Sequence, residues 1–271
     1  MSSYVQYPPT QFVQTYNIIS KKYEIDACHN ENIMELANYH IYFLIDDSGS
    51  MNYNTNISTR WSELKIMVKN LTELCNSVNP YGVNILFINK LETYNITNYY
   101  DINNILLFEP SGSTPTCSKL QRIFDIPSEL PKLIVLFTDG CPTMPNSGTS
   151  DVNNFYNLMK NRNAEHNRVS IIVCTDNDDD VAFLNRIDNE AKYVDVVDDY
   201  NSEKKEIMQK QGNNFPFSRG DYLIKSLLGP INPIYDYFDE KKIEIIIDTH
   251  GNRKMQYVSY DSNVNNNCII L

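Results

Sequence analysis

The sequence predicts an α/β fold, doubly wound, with a mostly parallel sheet, helices on both faces and a helical C-terminal extension. Short apolar runs alternate with longer segments in which apolar residues recur every three or four positions, the patterns of buried strands and of amphipathic helices. The run at 132–138 is almost continuously apolar, as strands covered on both faces are. A chain of 271 residues is long enough for one large domain of this class with appendages.

The first half of the chain opens with a polar segment rich in Tyr and Gln, with a short helical patch near 33–37. An apolar run then predicts the first buried strand at 40–45. A helix follows, because apolar residues from Trp61 to Val78 recur at alternating steps of three and four, and Ser58 or Thr59 can cap its start. The remaining predicted elements of this half are a buried strand at 83–88, an edge strand at 91–100 and a helix at 115–124.

The second half continues the alternation as a Rossmann-like arrangement. The pattern predicts strands at 132–138, 169–175 and 193–197 and helices at 151–164 and 180–190. Beyond residue 198 it predicts helices at 203–211, 221–228 and 233–241 and one further candidate strand at 243–247. We therefore expect a lead-in at 1–37, a domain at 38–200, a mainly helical extension packed on it at 201–255 and a flexible tail at 256–271.

Composition and charge narrow the classes of function. The formal net charge is −11 and the isoelectric point is near 4.8, which argues against nucleic acid as a partner, because a phosphate-binding surface needs a basic stripe. The first residues lack the features of a signal peptide, and no apolar run approaches the roughly 20 residues that cross a bilayer. The six cysteines form no Cys-x-x-Cys pair, as is typical of a reducing compartment. We therefore expect a cytoplasmic protein.

Oxygen-bearing side chains follow the two most apolar predicted strands. Asp46, Ser48 and Ser50 come directly after the first strand, and Asp139 comes directly after the strand at 132–138. Open α/β sheets bind their ligands at the carboxyl edge of the strands, and a hard cation such as Mg²⁺ takes about six oxygen ligands. The two acidic residues and the serines therefore indicate a divalent-cation site at this edge.

Three motifs in these loops resemble those of the von Willebrand factor A domain family. Asp46-Asp47-Ser48-Gly49-Ser50-Met51 is similar to its Asp-x-Ser-x-Ser motif, Gly112-Ser113-Thr114-Pro115 to its threonine-bearing loop, and Phe137-Thr138-Asp139-Gly140 to its third, aspartate-bearing loop. The three occur in the family's order and spacing, and the resemblance covers roughly residues 38–200. Segments at 59–61 and 213–230 also resemble small cytosolic single-domain members from unicellular eukaryotes.

The resemblance implies a metal-ion-dependent adhesion site. In the family, the serines, the threonine and the aspartates hold Mg²⁺ or Mn²⁺ directly or through water, and a glutamate or aspartate of a partner protein completes the coordination. Carried over by position, the implied metal ligands are Asp46, Ser48, Ser50, Thr114 and Asp139. The alternative from the residues alone is that the first three form a polar turn and that Thr114 caps a helix.

The expected function is a divalent-cation-dependent protein-binding module, without catalytic activity, whose protein ligand presents Glu or Asp. The alternative, by family analogy, is a cytosolic scaffold or adaptor for an ATPase or ubiquitin-type assembly, which binds independently of the metal. Hydrolytic use of the metal is disfavoured, because the sequence places no base beside it.

The last four residues form a candidate lipidation signal. Cys268-Ile269-Ile270-Leu271 fits the Cys-aliphatic-aliphatic-X prenylation pattern, and a final Leu favours geranylgeranyl. A single lipid gives only reversible membrane binding, so we expect at most peripheral membrane association through a prenyl group on Cys268. The alternative is a short apolar tail that is tucked against the domain or frayed.

Overall fold

The computed structural model describes residues 10–257, apart from 56, 57, 146, 176, 250 and 252. The strands of the main sheet are β1 (His40–Ile45), β2 (Val83–Phe87), β3 (Thr93–Ile96), β4 (Lys132–Thr138), β5 (Asn167–Val173) and β6 (Val194–Val197). They lie in the order β3-β2-β1-β4-β5-β6. Neighbouring strands are parallel except for the antiparallel edge strand β3. The predicted edge strand at 91–100 is therefore present, shortened to four residues.

Helices cover both faces of this sheet. The α-helices are α1 (Thr10–Lys22), α2 (Asn30–Ile33), α3 (Arg60–Val78), α4 (Ile102–Ile105), α5 (Thr116–Phe124), α6 (Val152–Asn161), α7 (Asp178–Val181), α8 (Leu184–Glu190), α9 (Tyr200–Gln211), α10 (Arg219–Leu228) and α11 (Pro233–Glu240). Short 3-10 helices lie at Ala27–His29, Met34–Asn38, Gly49–Asn52 and Tyr99–Asp101.

The alternation of side chains along β1 shows why both faces are covered. Phe43 and Ile45 belong to a core that includes buried residues of α1, α3, α10 and α11. Tyr42 and Leu44 belong to the core on the opposite face, with buried residues of α5, α6 and α8. Successive residues of a strand point to opposite faces, so an almost wholly apolar strand needs a helical layer on each side. The predicted doubly wound α/β fold is confirmed.

The N-terminal segment contributes more structure than the sequence predicted. Only a patch near 33–37 was expected to be helical, but α1 also forms and packs along α3. Tyr16 and Ile19 of α1 are buried in the core, and Lys22 at its end forms an ion pair with Glu73 of α3 at 2.6 Å. The described part of the predicted lead-in therefore packs on the domain.

The predicted C-terminal extension consists of α9, α10 and α11, followed by a hairpin. The hairpin strands are β7 (Ile243–Ile247) and β8 (Arg253–Tyr257), which form a separate two-stranded antiparallel sheet. The candidate strand at 243–247 is therefore present, but outside the main sheet, and β8 was not predicted. Of the helices in the part of the chain that the structure describes, none is long and apolar enough to cross a membrane.

Candidate metal site

The ends of β1 and β4 bring the two predicted acidic ligands together. Ile45 and Phe137 are partners in the parallel register, so the residues after them begin neighbouring loops. The amide of Asp46 donates a hydrogen bond to the carbonyl of Phe137 at 3.0 Å, which continues the pairing one residue past the strand. Strand order reverses between β1 and β4, and such a switch point opens a crevice at the carboxyl edge of the sheet.

A chain of hydrogen bonds links four of the five predicted ligands. The Ser48 amide donates to Asp46 Oδ1 at 2.9 Å, and the hydroxyl oxygens of Ser48 and Ser50 lie 3.1 Å apart. The Ser50 hydroxyl donates to Asp139 Oδ1 at 2.9 Å. Asp46, Ser48 and Asp139 are almost fully buried, whereas Ser50 is partly exposed. The chain therefore places oxygen atoms of both carboxylates and both hydroxyls in one small region.

Each carboxylate is also held by a group that the sequence analysis did not identify. The Thr138 hydroxyl donates to Asp46 Oδ2 at 3.0 Å. Arg60 Nη1 donates to Asp139 Oδ2 at 2.8 Å, and Arg60 Nη2 donates to the Thr175 hydroxyl at 2.7 Å. Thr138 and Thr175 lie at or just beyond the carboxyl ends of β4 and β5, a position that could have marked them. Arg60 lies at the start of a helix rather than at the end of a strand, so its position in the sequence did not predict that it lies at this site.

The loop that carries Thr114 lies against the first loop. The Ser111 amide donates to the carbonyl of Asp47 at 2.8 Å, and the Gly49 amide donates to the carbonyl of Gly112 at 3.1 Å. Gly112 has φ +109°, and a Cβ there would lie 2.8 Å from Asn89 Oδ1. Only glycine combines that backbone conformation with so close an approach, so this residue lets the two loops meet.

Thr114 lies in the loop that adjoins the first one, and its backbone is hydrogen-bonded to Thr143. Its amide donates to the Thr143 hydroxyl at 3.0 Å, and its carbonyl accepts from the Thr143 amide at 2.8 Å. Among the described residues, no hydrogen bond links its buried side chain to the chain from Asp46 to Asp139. The alternative role as a cap is not seen either, because α5 begins after Pro115 without a capping side chain.

Burial and the charge of Asp139 disfavour ionisation of Asp46, and Arg60 supplies a positive charge beside Asp139. Burial and then the charge of Asp139 raise the pKa of Asp46 to about 7, although hydrogen bonds from Ser48 and Thr138 lower it in part. Arg60 offsets one of the two negative charges through its ion pair with Asp139. If both carboxylates are ionised, Asp46, Asp139 and Arg60 together carry a net charge of −1.

The donor set fits a hard divalent cation. Carboxylate and hydroxyl oxygens are the ligands that Mg²⁺ accepts, and Mg²⁺ keeps several waters besides its protein ligands. A polar turn alone would explain the hydrogen bond from Ser48 to Asp46. It does not explain why two buried carboxylates are brought together by hydrogen bonds through two serines, because burying charge is costly unless it is compensated.

Comparisons with known proteins do not assign a family to this chain. No protein-family model matches the sequence, and no curated protein matches it. Among solved structures, the chain is similar to a point mutant of the PilB minor pilin from Streptococcus sanguinis, with a TM-score of 0.43 and 16% identity over 74% of this chain and 62% of that chain. For another structure of the same pilin the TM-score is 0.40, with 16% identity over 64% of this chain and 62% of that chain. The chain therefore spans less than two thirds of either pilin structure.

Proposed function

We propose that this protein is a divalent-cation-dependent protein-binding module of the von Willebrand factor A type. In this proposal Mg²⁺ or Mn²⁺ binds at the carboxyl edge of the sheet. The observation that carries the proposal is the chain of hydrogen bonds from Asp46, through the Ser48 amide and the Ser48 and Ser50 hydroxyls, to Asp139. These four residues, with Thr114 from the adjoining loop, hold the metal directly or through water.

The charges at the site favour an acidic partner. Asp46, Asp139 and Arg60 sum to −1 when ionised, and a divalent cation changes that sum to +1. A Glu or Asp side chain from a partner protein would restore neutrality and add an oxygen ligand. Because Arg60 is ion-paired with Asp139 at 2.8 Å, the protein alone does not fully neutralise the metal. This gives the acidic partner an electrostatic contribution that an amide cannot replace.

Apolar side chains on the flanking loops offer contact area around the metal. Tyr53 is 64% exposed, and its backbone carbonyl accepts a hydrogen bond from the Arg60 amide. Met144 is 46% exposed and follows Thr143, the residue that holds Thr114. Aromatic residues and Met are enriched at protein interfaces, so we propose that both side chains contact the partner.

We propose binding rather than turnover at this site. The described histidines are engaged elsewhere: His29 contacts Asp221 and Tyr235, while His40 and His166 contact Ser128. A metal that neutralises a partner's carboxylate needs no base.

We also propose that the protein is cytoplasmic, with peripheral membrane association if Cys268 carries a prenyl group. Cys268 and the rest of the predicted tail beyond 257 lie outside the described residues.

Selection of peptide ligands tests the proposed function directly. The immobilised protein is presented with a random peptide library in Mg²⁺, and bound peptides are eluted with EDTA. We expect the selected peptides to share a Glu or Asp. Changing that residue to Gln or Asn should weaken binding at least about tenfold, since a charged ligand to the metal is lost.

The metal-independent adaptor is the other outcome of this selection. Peptides that stay bound in EDTA, and that bind the Asp46→Asn/Asp139→Asn variant as well as the wild type, would contradict the cation-dependent module. They would support instead the scaffold or adaptor for an ATPase or ubiquitin-type assembly. The extension beyond residue 200 would then be the surface to map, beginning with the exposed hairpin residues Ile246 and Ile247.

The affinity for Mg²⁺ is expected to fall as the pH is lowered through neutrality. The pKa of Asp46 is raised to about 7, and a ligating carboxylate must be ionised, so protons compete with the metal. One such group predicts an affinity about tenfold lower at pH 6 than at pH 8. Calorimetric titrations at both pH values measure this ratio, and circular dichroism checks that the fold is retained. A constant affinity would contradict the role of Asp46 as a ligand.

A further inference from the structure

A second group of carboxylates lies at the far edge of the sheet. One oxygen from each of Asp188, Asp195 and Asp236 lies within 4.8 Å of the others. Asp188 belongs to α8, which packs on one face of the sheet, and Asp236 belongs to α11, which packs on the other. Asp195 belongs to the edge strand β6, between them. We call these three residues the edge cluster.

Asp195 points an unsatisfied oxygen into the protein interior. The residue is 2% exposed, and its Oδ1 accepts a hydrogen bond from Lys225 Nζ at 3.1 Å. Its Oδ2 is enclosed and accepts no hydrogen bond from any described residue. A Cβ at Gly229 would fall 1.8 Å from this oxygen, so glycine there leaves room for the carboxylate. A buried acceptor without a donor is costly, which indicates that another group satisfies Oδ2.

The other two members differ in how they are held. Asp188 Oδ1 accepts the Val196 amide at 3.0 Å, which fixes its carboxylate against the outer edge of β6. Asp236 lies in the first turn of α11 and is half-buried. Within the described part of the chain, its carboxylate accepts no hydrogen bond and forms no ion pair. Asp236 therefore has both oxygens available for a ligand that approaches from solvent.

Negative charge exceeds positive charge around the edge cluster. Lys225 Nζ is surrounded by Asp195 at 3.1 Å, Glu203 at 3.2 Å and Asp239 at 3.7 Å. Asp188, Asp236 and Glu240, whose charge acts on both of these aspartates, bring the carboxylates of the described residues around this ammonium group to six. A bound cation would offset part of this excess of negative charge.

We propose that Asp188, Asp195 and Asp236 bind a hard divalent cation, for which Ca²⁺ fits best. All three residues offer oxygen, and the 4.8 Å limit on their separation is about twice the roughly 2.4 Å Ca²⁺–oxygen distance. Ca²⁺ takes six to eight ligands in flexible geometry, and the half-exposed side of the cluster at Asp236 admits water for the remaining positions. This site is separate from the proposed one at Asp46 and does not depend on it.

The bound cation would add a shared ligand to three elements, of which α8 and β6 are otherwise joined by packing and by the hydrogen bond from the Val196 amide to Asp188. It would connect α8, β6 and α11, and therefore the predicted domain to its C-terminal extension. A ligand that binds only the folded state stabilises that state by mass action. Saturating Ca²⁺ is therefore expected to raise the melting temperature, and Asp236→Asn should remove that increase.

Calorimetric titration of the full chain with CaCl₂ tests the proposal. The proteins compared are the wild type, Asp236→Asn, Asp188→Asn, Glu244→Gln and the Asp46→Asn/Asp139→Asn variant. Asp236→Asn should weaken Ca²⁺ binding at least about tenfold, and Asp188→Asn should do the same. The amide in Asp188→Asn can still accept from Val196, so the fold is preserved. Glu244→Gln, an exposed change of equal charge on β7, should alter the affinity less than about threefold.

The first-site variant separates this proposal from the proposed function. The Asp46→Asn/Asp139→Asn protein should still bind one Ca²⁺ with wild-type affinity, whether or not Mg²⁺ binds at Asp46 in the wild type. Loss of all Ca²⁺ binding in that variant would overturn the edge cluster as a site. So would wild-type affinity in both Asp236→Asn and Asp188→Asn, or the absence of Ca²⁺ binding by the wild type at millimolar concentration.

Discussion

Replacing Asp46 and Asp139 together by asparagine is expected to abolish measurable Mg²⁺ binding, a loss of at least about 100-fold. Losing a single outer partner of a metal ligand already costs about 10–100-fold in affinity, and this change removes both proposed carboxylate ligands. The remaining Ser48 and Ser50 hydroxyls are neutral and bind Mg²⁺ weakly when no carboxylate is present. Calorimetry with Mg²⁺ and with Mn²⁺ measures the loss.

Asparagine is chosen because alanine would damage the fold. Arg60 is buried and pairs with Asp139 at 2.8 Å, so alanine at 139 would leave a buried guanidinium without its counter-charge. An asparagine keeps one oxygen that can accept from Arg60, and its amide group can donate to the Ser50 hydroxyl. The same reasoning applies at Asp46, where the amide can donate to Thr138.

Asp47→Asn is the matched control for this experiment. Asp47 is also buried and adjoins Asp46, but its Oδ1 accepts from the amide and side chain of Asn89 at 2.7 and 3.2 Å. It belongs to the loop scaffold rather than to the proposed ligands, so its change should alter Mg²⁺ affinity less than about threefold. If the Asp46→Asn/Asp139→Asn variant binds Mg²⁺ as tightly as the wild type does, Asp46, Ser48 and Ser50 form only a polar turn.

The sequence predicted best the features that depend on local periodicity. The strand at 132–138 was predicted with the bounds that the structure has, because its apolar run is continuous and ends at an acidic residue. Parallel strands bring their carboxyl ends to one edge, so the approach of Asp46 to Asp139 also followed from the pattern. The resemblance added Thr114, whose loop does adjoin the first one.

Features that depend on distant contacts could not be read from the pattern. Helix α1 is rich in polar residues, and Tyr16 and Ile19, the buried ones among its described side chains, are too sparse to mark a core-facing helix. Strand β8 is mostly exposed and polar, so no alternation reveals it. Arg60 and Thr175 are hydrogen-bonded although they are 115 positions apart in the sequence, and no local sequence pattern predicts this contact. The structure and contacts of such residues depend on tertiary packing, which overrides local secondary-structure propensity.

Lys225 is the clearest case of a residue whose role the sequence hides. Because lysine is almost never fully buried, the sequence predicts that Lys225, between Ile224 and Ser226 in an amphipathic helix, faces solvent. In the structure its side chain is fully buried, with Asp195 and Glu203 at 3.1 and 3.2 Å. Asp195 lies 30 positions earlier, in a strand that reads as apolar. The pairing therefore becomes visible only when α10 is placed on β6.

Lys225→Met is expected to lower the free energy of unfolding by about 3–5 kcal/mol, the cost of leaving a buried ionic partner without its counter-charge. Methionine fills a similar length, so the loss of charge rather than of volume dominates. Burial raises the pKa of Asp195 well above its usual value even with Lys225 beside it, and without the ammonium group it must be protonated to stay buried. The loss would be a large share of the roughly 5–15 kcal/mol that stabilises a typical domain.

Urea denaturation at two pH values separates this explanation from a general packing defect. If the carboxylates left behind are ionised, protonation relieves them, so the destabilisation should be smaller at pH 5 than at pH 8. Lys205→Met, an exposed change on α9, should cost less than about 0.5 kcal/mol. Adding Asp195→Asn to Lys225→Met should recover part of the loss, which a double-mutant cycle measures as coupling. A loss of equal size at both pH values, without recovery in the double variant, would show that Lys225 acts by packing alone.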